Sequence, residues 1–403
     1  MASISRRTVS GKPRYDVNYR EPDGRKRRKT FLKRVDADAF ARTIETDKLR
    51  GTYLDLDAGR ESFGAYAERW ITHTSRDPQT LAIRERILRL HIAPAIGDVE
   101  LRKVTGSTLR GLISSLEVAD KYAADIFGLV SSILTAAVDD KLIPTNPAKD
   151  ASVRRQKPRA PRRKIQPWPD EWIDAMHTAI HDRYKVTITL AAGLGLRQGE
   201  VFGLAIEDVD MLRGVVRVKR QVKMVGKTLV FAPPKARKDG DAPREIPLPA
   251  DVRAELAAHL STYPAQAVTL PWREPDGKPT TVHLITTTRN DQAIRRTSYN
   301  ETVWSTARKH AGLTIGGEIE TGMHGLRHWY ASSLLAGGAS AVEVSAYLGH
   351  SDVAFTLRTY GHLMPSSESR AREAIEAAFE RSRTAGNAAA PDGSLHQRYI
   401  GGV

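Results

Sequence analysis

Three short stretches of this chain hold residue types that handle phosphate groups and protons. In "GLGLRQGEVFGL", Arg197 and Glu200 stand three residues apart on an expected helix. Alone, they would be an ordinary i, i+3 ion pair. The glycines there, Gly193, Gly195 and Gly199, lack the spacing of a dinucleotide-binding loop. In "MHGLRHWYASSLLAGG", His324 and Arg327 share one face near a helix start, where backbone N–H groups and cationic side chains suit a phosphate. A metal alternative pairs His324 with His328 at i, i+4, but no carboxylate lies within the motif and the chain has no cysteine. In "LGHSDVAFTLRTYGHL", Gly349 is expected to close one helix, Ser351 to cap the next, and Asp352 to sit in its first turn. His350 then lies at a helix junction, within reach of a ligand. Tyr360 falls at the far end of a short, polar helix that reads as exposed. At about 1.5 Å per residue it lies roughly 13 Å from the cap, so only tertiary folding can return it toward His350. Tyr330, inside an apolar helix, reads as core.

The charge of the chain suggests what these groups act on. Its 403 residues carry a net charge of +15, which favours a polyanionic partner. Residues 1–60 hold 16 Lys/Arg against 9 Asp/Glu, and residues 151–164 hold 7 basic residues and no acidic one. Two basic segments attached to nearly neutral modules fit DNA-backbone contacts: Arg25, Lys26, Arg27, Arg28 and Lys29 in the first, Arg154, Arg155, Arg159, Arg162 and Arg163 in the second. The absence of cysteine excludes disulfides and thiol nucleophiles and suits a reducing compartment. The first residues lack the apolar core of a signal peptide, and the apolar run from Val186 spans 11 residues, too short for a bilayer. The expected location is therefore the cytoplasm, on DNA when bound, with no membrane partner.

Residues 1–60 read as a small β-rich unit followed by a helix: "RYDVNYRE" alternates, "PDGRK" turns, "RKTFLKR" resumes a strand, and the helix stops at Gly51. Residues 61–150 read as four or five helices. Phe63, Tyr66 and Trp70 share one face, and Leu81, Ile87, Leu88 and Ile92 another, while "GSTLRGLISSL" opens with a serine cap. The proline- and arginine-rich stretch 151–168 reads as an extended linker. Residues 169–383 read as a larger domain. Helices at about 169–183 and 185–204 precede a β-meander of "GVVRVKRQV", "KTLVFAPP" and "REIPLP". Helices return at about 250–262, 299–311, 324–337, 340–348, 352–360 and 366–383. The tail 384–403 reads as mostly disordered.

The order Arg…Lys…His-x-x-Arg…His…Tyr, in the contexts "GLRQGE", "HGLRHWYAS" and "LGHSD…Y", resembles the tyrosine recombinases, the phage-integrase family of site-specific DNA recombinases. The resemblance covers most of the chain. It implies a mixed, mainly α fold: a small β-rich arm-type DNA-binding module (1–60), a helical core-site-binding domain (61–150), a basic linker (151–168), and an α+β catalytic domain with a small antiparallel sheet (169–383). It implies Tyr360 as nucleophile, with Arg197, His324, Arg327 and His350 around the phosphate and Glu200 as the acidic neighbour of Arg197. The family lysine lies on a hairpin, where Lys235 and Lys238 are both available. Lys235, directly after the strand, fits better. His324 becomes the candidate base for Tyr360 and Lys235 the candidate acid for the leaving 5′-oxygen. The covalent 3′-phosphotyrosine conserves bond energy, and no cofactor or metal is implied. The implied partners are double-stranded DNA at core and arm-type sites, three further copies in a homotetramer on paired sites, and host or phage DNA-bending and directionality proteins. Two readings of other kinds use overlapping features: a type IB topoisomerase-like enzyme, and a DNA-binding architectural protein without catalysis.

Overall fold

The structure is a computed structural model and describes residues 2–21, 24–49, 58–74, 77–159, 164–235, 242–313, 319–364, 372 and 375–383. The chain forms two compact units, Met1–Arg163 and Lys164–Val403.

The first unit opens with three antiparallel strands in the order β1 (Ser3–Val9), β2 (Lys12–Arg20), β3 (Lys26–Phe31), followed by α1 (Arg34–Leu49). β1 escapes a pattern reading because "SISRRTV" is polar and almost wholly exposed. Val17 and Tyr19 of β2 pack with Ala37 and Ile44 of α1 into a small core. Residues paired across strands share a face. Lys29 and Arg27 oppose Val17 and Tyr19, and so lie on the helix side. There the Lys29 ammonium stands 4.5 Å from the Phe40 ring and Arg27 pairs with buried Glu21 at 2.8 Å. Lys26 and Arg28 oppose Arg20 and Asn18 and take the other face, with Arg7 and Arg14. The basic run that looks uniform in sequence is thus divided between two faces. The expected helix stop at Gly51 lies outside the described residues.

The bundle comprises α2 (Phe63–Thr74), α3 (Pro78–Ile87), a π-turn over Leu88–Ile92, α4 (Ala93–Ile96), α5 (Gly106–Ser114), α6 (Asp120–Asp139) and α7 (Ala151–Gln156). Phe63, Tyr66, Ile87, Leu88 and Ile92 are buried as expected, and Trp70 and Leu81 are partly buried against them. The cap of α5 is Thr105, not the serine: its hydroxyl accepts from the Thr108 N–H, and the Thr108 hydroxyl accepts from the Thr105 N–H. α6 has the length and hydropathy of a membrane span, but its Ile126, Val130, Ile133 and Leu134 fill the bundle core. α7 corrects the extended reading of 151–168. Val153 is buried against the bundle, so the first six residues form a helix, with Arg154 and Arg155 on its exposed side. Arg159 is exposed beyond it, and Arg162 and Arg163 lie outside the described residues.

Trp168 is buried in the core of the second unit, so this residue belongs to the domain and not to a linker. α8 (Asp170–Ala179), α9 (Asp182–Leu194) and α10 (Gln198–Gly203) follow. The helix expected over 185–204 is broken at Gly195, whose φ of +61° favours glycine. A Cβ there would lie 2.3 Å from the Tyr330 ring. β4 (Val209–Asp210), β5 (Val215–Val218) and β8 (Arg244–Pro247) form one antiparallel sheet in the order β4-β5-β8, and β6 (Gln221–Val225) pairs with β7 (Thr228–Ala232) in another. "GVVRVKRQV" is therefore two strands. The chain turns at Arg220, whose guanidinium is anchored by buried Asp208 at 2.6 and 3.2 Å. α11 (Ala250–Thr262) precedes a hairpin absent from the sequence reading, β9 (Gln266–Pro271) with β10 (Pro279–Leu284). The remaining helices are α12 (Arg296–Ser298), a π-turn over Tyr299–Trp304, α13 (Ser305–His310), α14 (His324–Ala336), α15 (Ala341–Leu348) and α16 (Val353–Tyr360), and residues 375–383 are helical. The expected tail, 384–403, lies outside the described residues.

Candidate active site

Four helix ends supply the cationic part of the site. Arg197 has extended backbone and caps α10, with its own N–H held by the Glu200 carboxylate at 2.9 Å. It therefore stands at a helix end, not within a helix as the sequence suggested. Its guanidinium reaches Glu200 at 3.1 Å and the carbonyls of Leu348 and Gly349, where α15 ends, at 3.4 and 3.5 Å. Arg327, on the first turn of α14, is 1 % exposed and donates to the Gly195 and Leu348 carbonyls, both at 2.6 Å. Carbonyls at helix ends lack intrahelical partners, and the two arginines satisfy those of α15. Gly349, with φ of +64°, closes α15 as expected.

A third arginine completes this cluster. Arg244 of β8 grips Glu200 with two bonds, at 2.9 and 2.6 Å, and donates to the Tyr347 carbonyl at 2.9 Å. Burial raises the Glu200 carboxyl, but the hydrogen bonds and charge of Arg244, then the charges of Arg197 and Arg327, outweigh it and bring it down to about 2. Burial, then the charge of Arg197, lowers Arg327 to about 9 while Glu200 opposes them, so it stays cationic at neutral pH. Sequence reading missed Arg244. The available signal was alternation: in "REIP" it shares the inward face with Ile246.

The tyrosine lies below the surface. Tyr360 is 2 % exposed, against the expectation of an exposed helix, because α16 turns Phe355, Leu357 and Arg358 outward and Thr356 and Tyr360 inward. Its Oη is 2.7 Å from Nδ1 of His328, also buried. Among the described residues no hydrogen bond joins His324 to Tyr360. Instead the His324 ring, on the first residue of α14, packs edge-on against His328 with centroids 4.5 Å apart. His324 keeps an exposed face, yet the protein packed around it, then the neighbouring His328, push its pKa below the ordinary imidazole value. On the far side of His328, Nε2 is 3.7 Å from the Glu320 carboxylate. That carboxylate stands three residues before Met323, just outside the "MHGLRHWYASSLLAGG" stretch. Burial raises Tyr360 to about 12, against the opposing charges of Arg327 and Arg197.

His350 sits at the expected junction between α15 and α16, but the cap of α16 is Asp352, not Ser351: its carboxylate accepts from the Ala354 N–H at 2.8 Å. His350 Nδ1 is 2.7 Å from the Thr356 hydroxyl. Burial, then Arg327, Arg197 and Arg244, lower its pKa to about 3, so the ring is neutral at pH 7. In the tautomer whose Nδ1 accepts from Thr356, Nε2–H is the donor left for a ligand. Lys235 is exposed in the turn after β7, and Lys238 lies outside the described residues.

Comparison with known proteins bears on what this arrangement serves. Residues 170–366 match the phage integrase family. The putative prophage phiRv2 integrase of Mycobacterium tuberculosis is 29 % identical over 366 residues, covering 87 % of this chain and 88 % of that one. This chain is a tyrosine recombinase of the phage integrase family. A XerC-like tyrosine recombinase of Caldanaerobacter subterraneus is similar to this recombinase at 25 % identity, over 94 % of this chain and the whole of its own. Among solved structures, the Tn1549 transposon integrase, in complex with a circular intermediate DNA, shares the fold at a TM-score of 0.64 and 18 % identity, covering 78 % of this recombinase and 99 % of that chain. A lambda integrase tetramer bound to a Holliday junction aligns at a TM-score of 0.52 and 15 % identity, over 84 % of this chain and 93 % of that one. The mainly α fold with small antiparallel sheets agrees with the fold class implied by the motifs.

Proposed function

We propose that this recombinase integrates and excises a mobile element by cutting DNA with Tyr360 and holding the cut strand as a 3′-phosphotyrosine. One observation carries the reading: Arg197, Arg327, His350, His324 and Tyr360, spread over 164 residues of sequence, all gather around the C-terminal end of α15. The Tyr360 oxygen attacks phosphorus and the 5′-oxygen leaves. Charge grows on the non-bridging oxygens, where Arg197, Arg327, His324 and the His350 Nε2–H can donate. Loss of one such donor typically costs about 3–4 kcal/mol of transition-state stabilisation. Lys235 protonates the leaving oxygen. The 5′-hydroxyl of a partner strand then reverses the step, so no external energy source is consumed.

The other assignments belong to the same proposal. The sheet face bearing Arg7, Arg14, Lys26 and Arg28 holds arm DNA, and Arg154, Arg155, Arg159, Arg162 and Arg163 follow phosphates near the core site. The lambda integrase tetramer on a Holliday junction supports a tetramer of this chain on two paired sites. Its place of action is the host cytoplasm, aided by DNA-bending and directionality proteins.

The test is Tyr360→Phe. It should bind the core site as wild type does and form no covalent adduct. A persistent adduct would remove Tyr360 from the reaction. Products joined between two separate duplexes distinguish recombination from topoisomerase-like nicking and resealing.

A further inference from the structure

We propose that His328, steered by Glu320, is the group that takes the proton from Tyr360 during cleavage and returns it during joining. The proposal rests on Tyr360 being the nucleophile and adds where its proton goes. The arrangement runs carboxylate, imidazole, hydroxyl: Glu320 Oε2 lies 3.7 Å from Nε2 of His328, whose Nδ1 lies 2.7 Å from Tyr360 Oη. A carboxylate on one ring nitrogen favours the tautomer that leaves the other free to accept, and stabilises the imidazolium once formed. His324 has neither contact: its ring packs on His328.

The parts are fixed by local packing. The Trp168 indole N–H donates to the Glu320 carbonyl at 2.6 Å, anchoring the residue beside α14. Gly325 makes that approach possible, since a Cβ there would lie 2.2 Å from the Trp168 indole nitrogen and 2.6 Å from the Glu320 carbonyl oxygen. "HGLRH" thus needs its glycine so that Glu320 can stand next to His328. The groups facing His328 are His324 on its own helix, Tyr360 on α16 and Glu320 on the preceding loop. The charge of Arg296 acts on Glu320, and those of Arg327 and Arg197 act on Tyr360.

A base is needed here more than for a solvent-exposed tyrosine. A phenol at about 10 is roughly 0.1 % ionised at pH 7; at about 12, where burial holds Tyr360, the fraction is about 1 in 10⁵. In cleavage the O–H bond of Tyr360 breaks, its proton passes to His328 Nδ1, the Oη–phosphorus bond forms, and the bond to the 5′-oxygen breaks as that oxygen takes a proton from Lys235. Joining runs the same transfers backward.

The experiment follows single-turnover adduct formation against pH, using full-length protein and a nicked core-site duplex taken from the element's own junction. His328→Asn keeps a hydrogen-bond acceptor beside Tyr360 but cannot carry the proton. Its rate should fall about 10²- to 10⁴-fold at pH 7 and rise about tenfold per pH unit, as only the phenolate reacts, while binding stays unchanged. Glu320→Gln should slow the reaction less than His328→Asn and without the tenfold-per-unit slope, and Glu320→Asp should recover the rate. A His328→Asn profile parallel to wild type would overturn the proposal, as would the tenfold-per-unit slope appearing in His324→Asn instead. A measurement on unaltered protein does not depend on the variants folding. ¹⁵N resonances of His328 at neutral pH should show Nε2 protonated and Nδ1 bare; a protonated Nδ1 would overturn it. An adduct persisting in Tyr360→Phe would refute the tyrosine reading itself, a separate outcome.

Discussion

Replacing Arg244 by methionine removes two guanidinium–carboxylate bonds, 2.9 and 2.6 Å long, and the bond to the Tyr347 carbonyl, while an unbranched apolar chain remains in the space. Glu200, 1 % exposed, then keeps only the Arg197 backbone N–H at 2.9 Å and guanidinium at 3.1 Å. Two routes give the magnitude. Stripping one partner from a buried ion pair costs about 3–5 kcal/mol. Separately, moving the carboxyl from 4.5 to about 2 on folding corresponds, at about 1.36 kcal/mol per unit, to about 3 kcal/mol at neutral pH. The sign follows from the folded value lying below the unfolded one. The stabilisation is fully present above about 4.5 and is lost as pH falls toward 2. In Arg244→Met burial is no longer outweighed, the carboxyl rises, and it escapes its penalty by protonating. The stability gap between wild type and variant should therefore be about 3 kcal/mol at pH 7.5, where the carboxyl is ionised in both, and narrower by about 1–2 kcal/mol at pH 3.5, where a carboxyl back near 4.5 is protonated in the variant and still ionised in wild type. Urea unfolding followed by tryptophan emission measures it, because Trp168, Trp172, Trp272, Trp304 and Trp329 all lie in the second unit and only Trp70 in the first. A gap below about 1 kcal/mol, or one equal at both pH values, would refute the account of Arg244 as the main counter-charge of Glu200.

Lys235→Ala should slow cleavage of ordinary DNA far more than cleavage of DNA with a 5′-thio leaving group, which departs without an acid; rescue in Lys238→Ala instead would move the role to Lys238. Gly195→Ala should destabilise the second unit by about 2–4 kcal/mol through overpacking and left-handed backbone. Adding Tyr330→Leu should recover part of the loss, read as a shift in Tm. Deleting residues 1–60 should leave adduct formation on a short core duplex largely intact and sharply reduce recombination on long DNA, with a shallower salt dependence; equal loss in both assays would assign the module to core-site binding.

The residues proposed for the chemistry stand out in the sequence because phosphoryl transfer needs particular side chains, and these recur in short local contexts. Arg197, Arg327, His350 and Tyr360 carry their signals in motifs of a few residues. The helices of the bundle were legible too, since Phe63, Tyr66, Ile87 and Ile92 repeat at helical spacing and are buried at those positions. Local pattern failed where polarity masked it, as in the exposed β1, or where a distant anchor broke a regular run, as Asp208 does at Arg220. Tertiary structure alone decided which histidine meets the tyrosine. His324 and His328 are one helical turn apart and equivalent by type, and the choice depends on how α16, whose Tyr360 is 32 residues beyond His328, lies against α14. The same holds for Glu200, whose main counter-charge comes from a strand 44 residues away. Residue type fixes which group can carry a proton or a charge; the crossing of helix ends and strands far apart in sequence fixes which groups come within hydrogen-bond distance, and neither periodicity nor spacing encodes that distance.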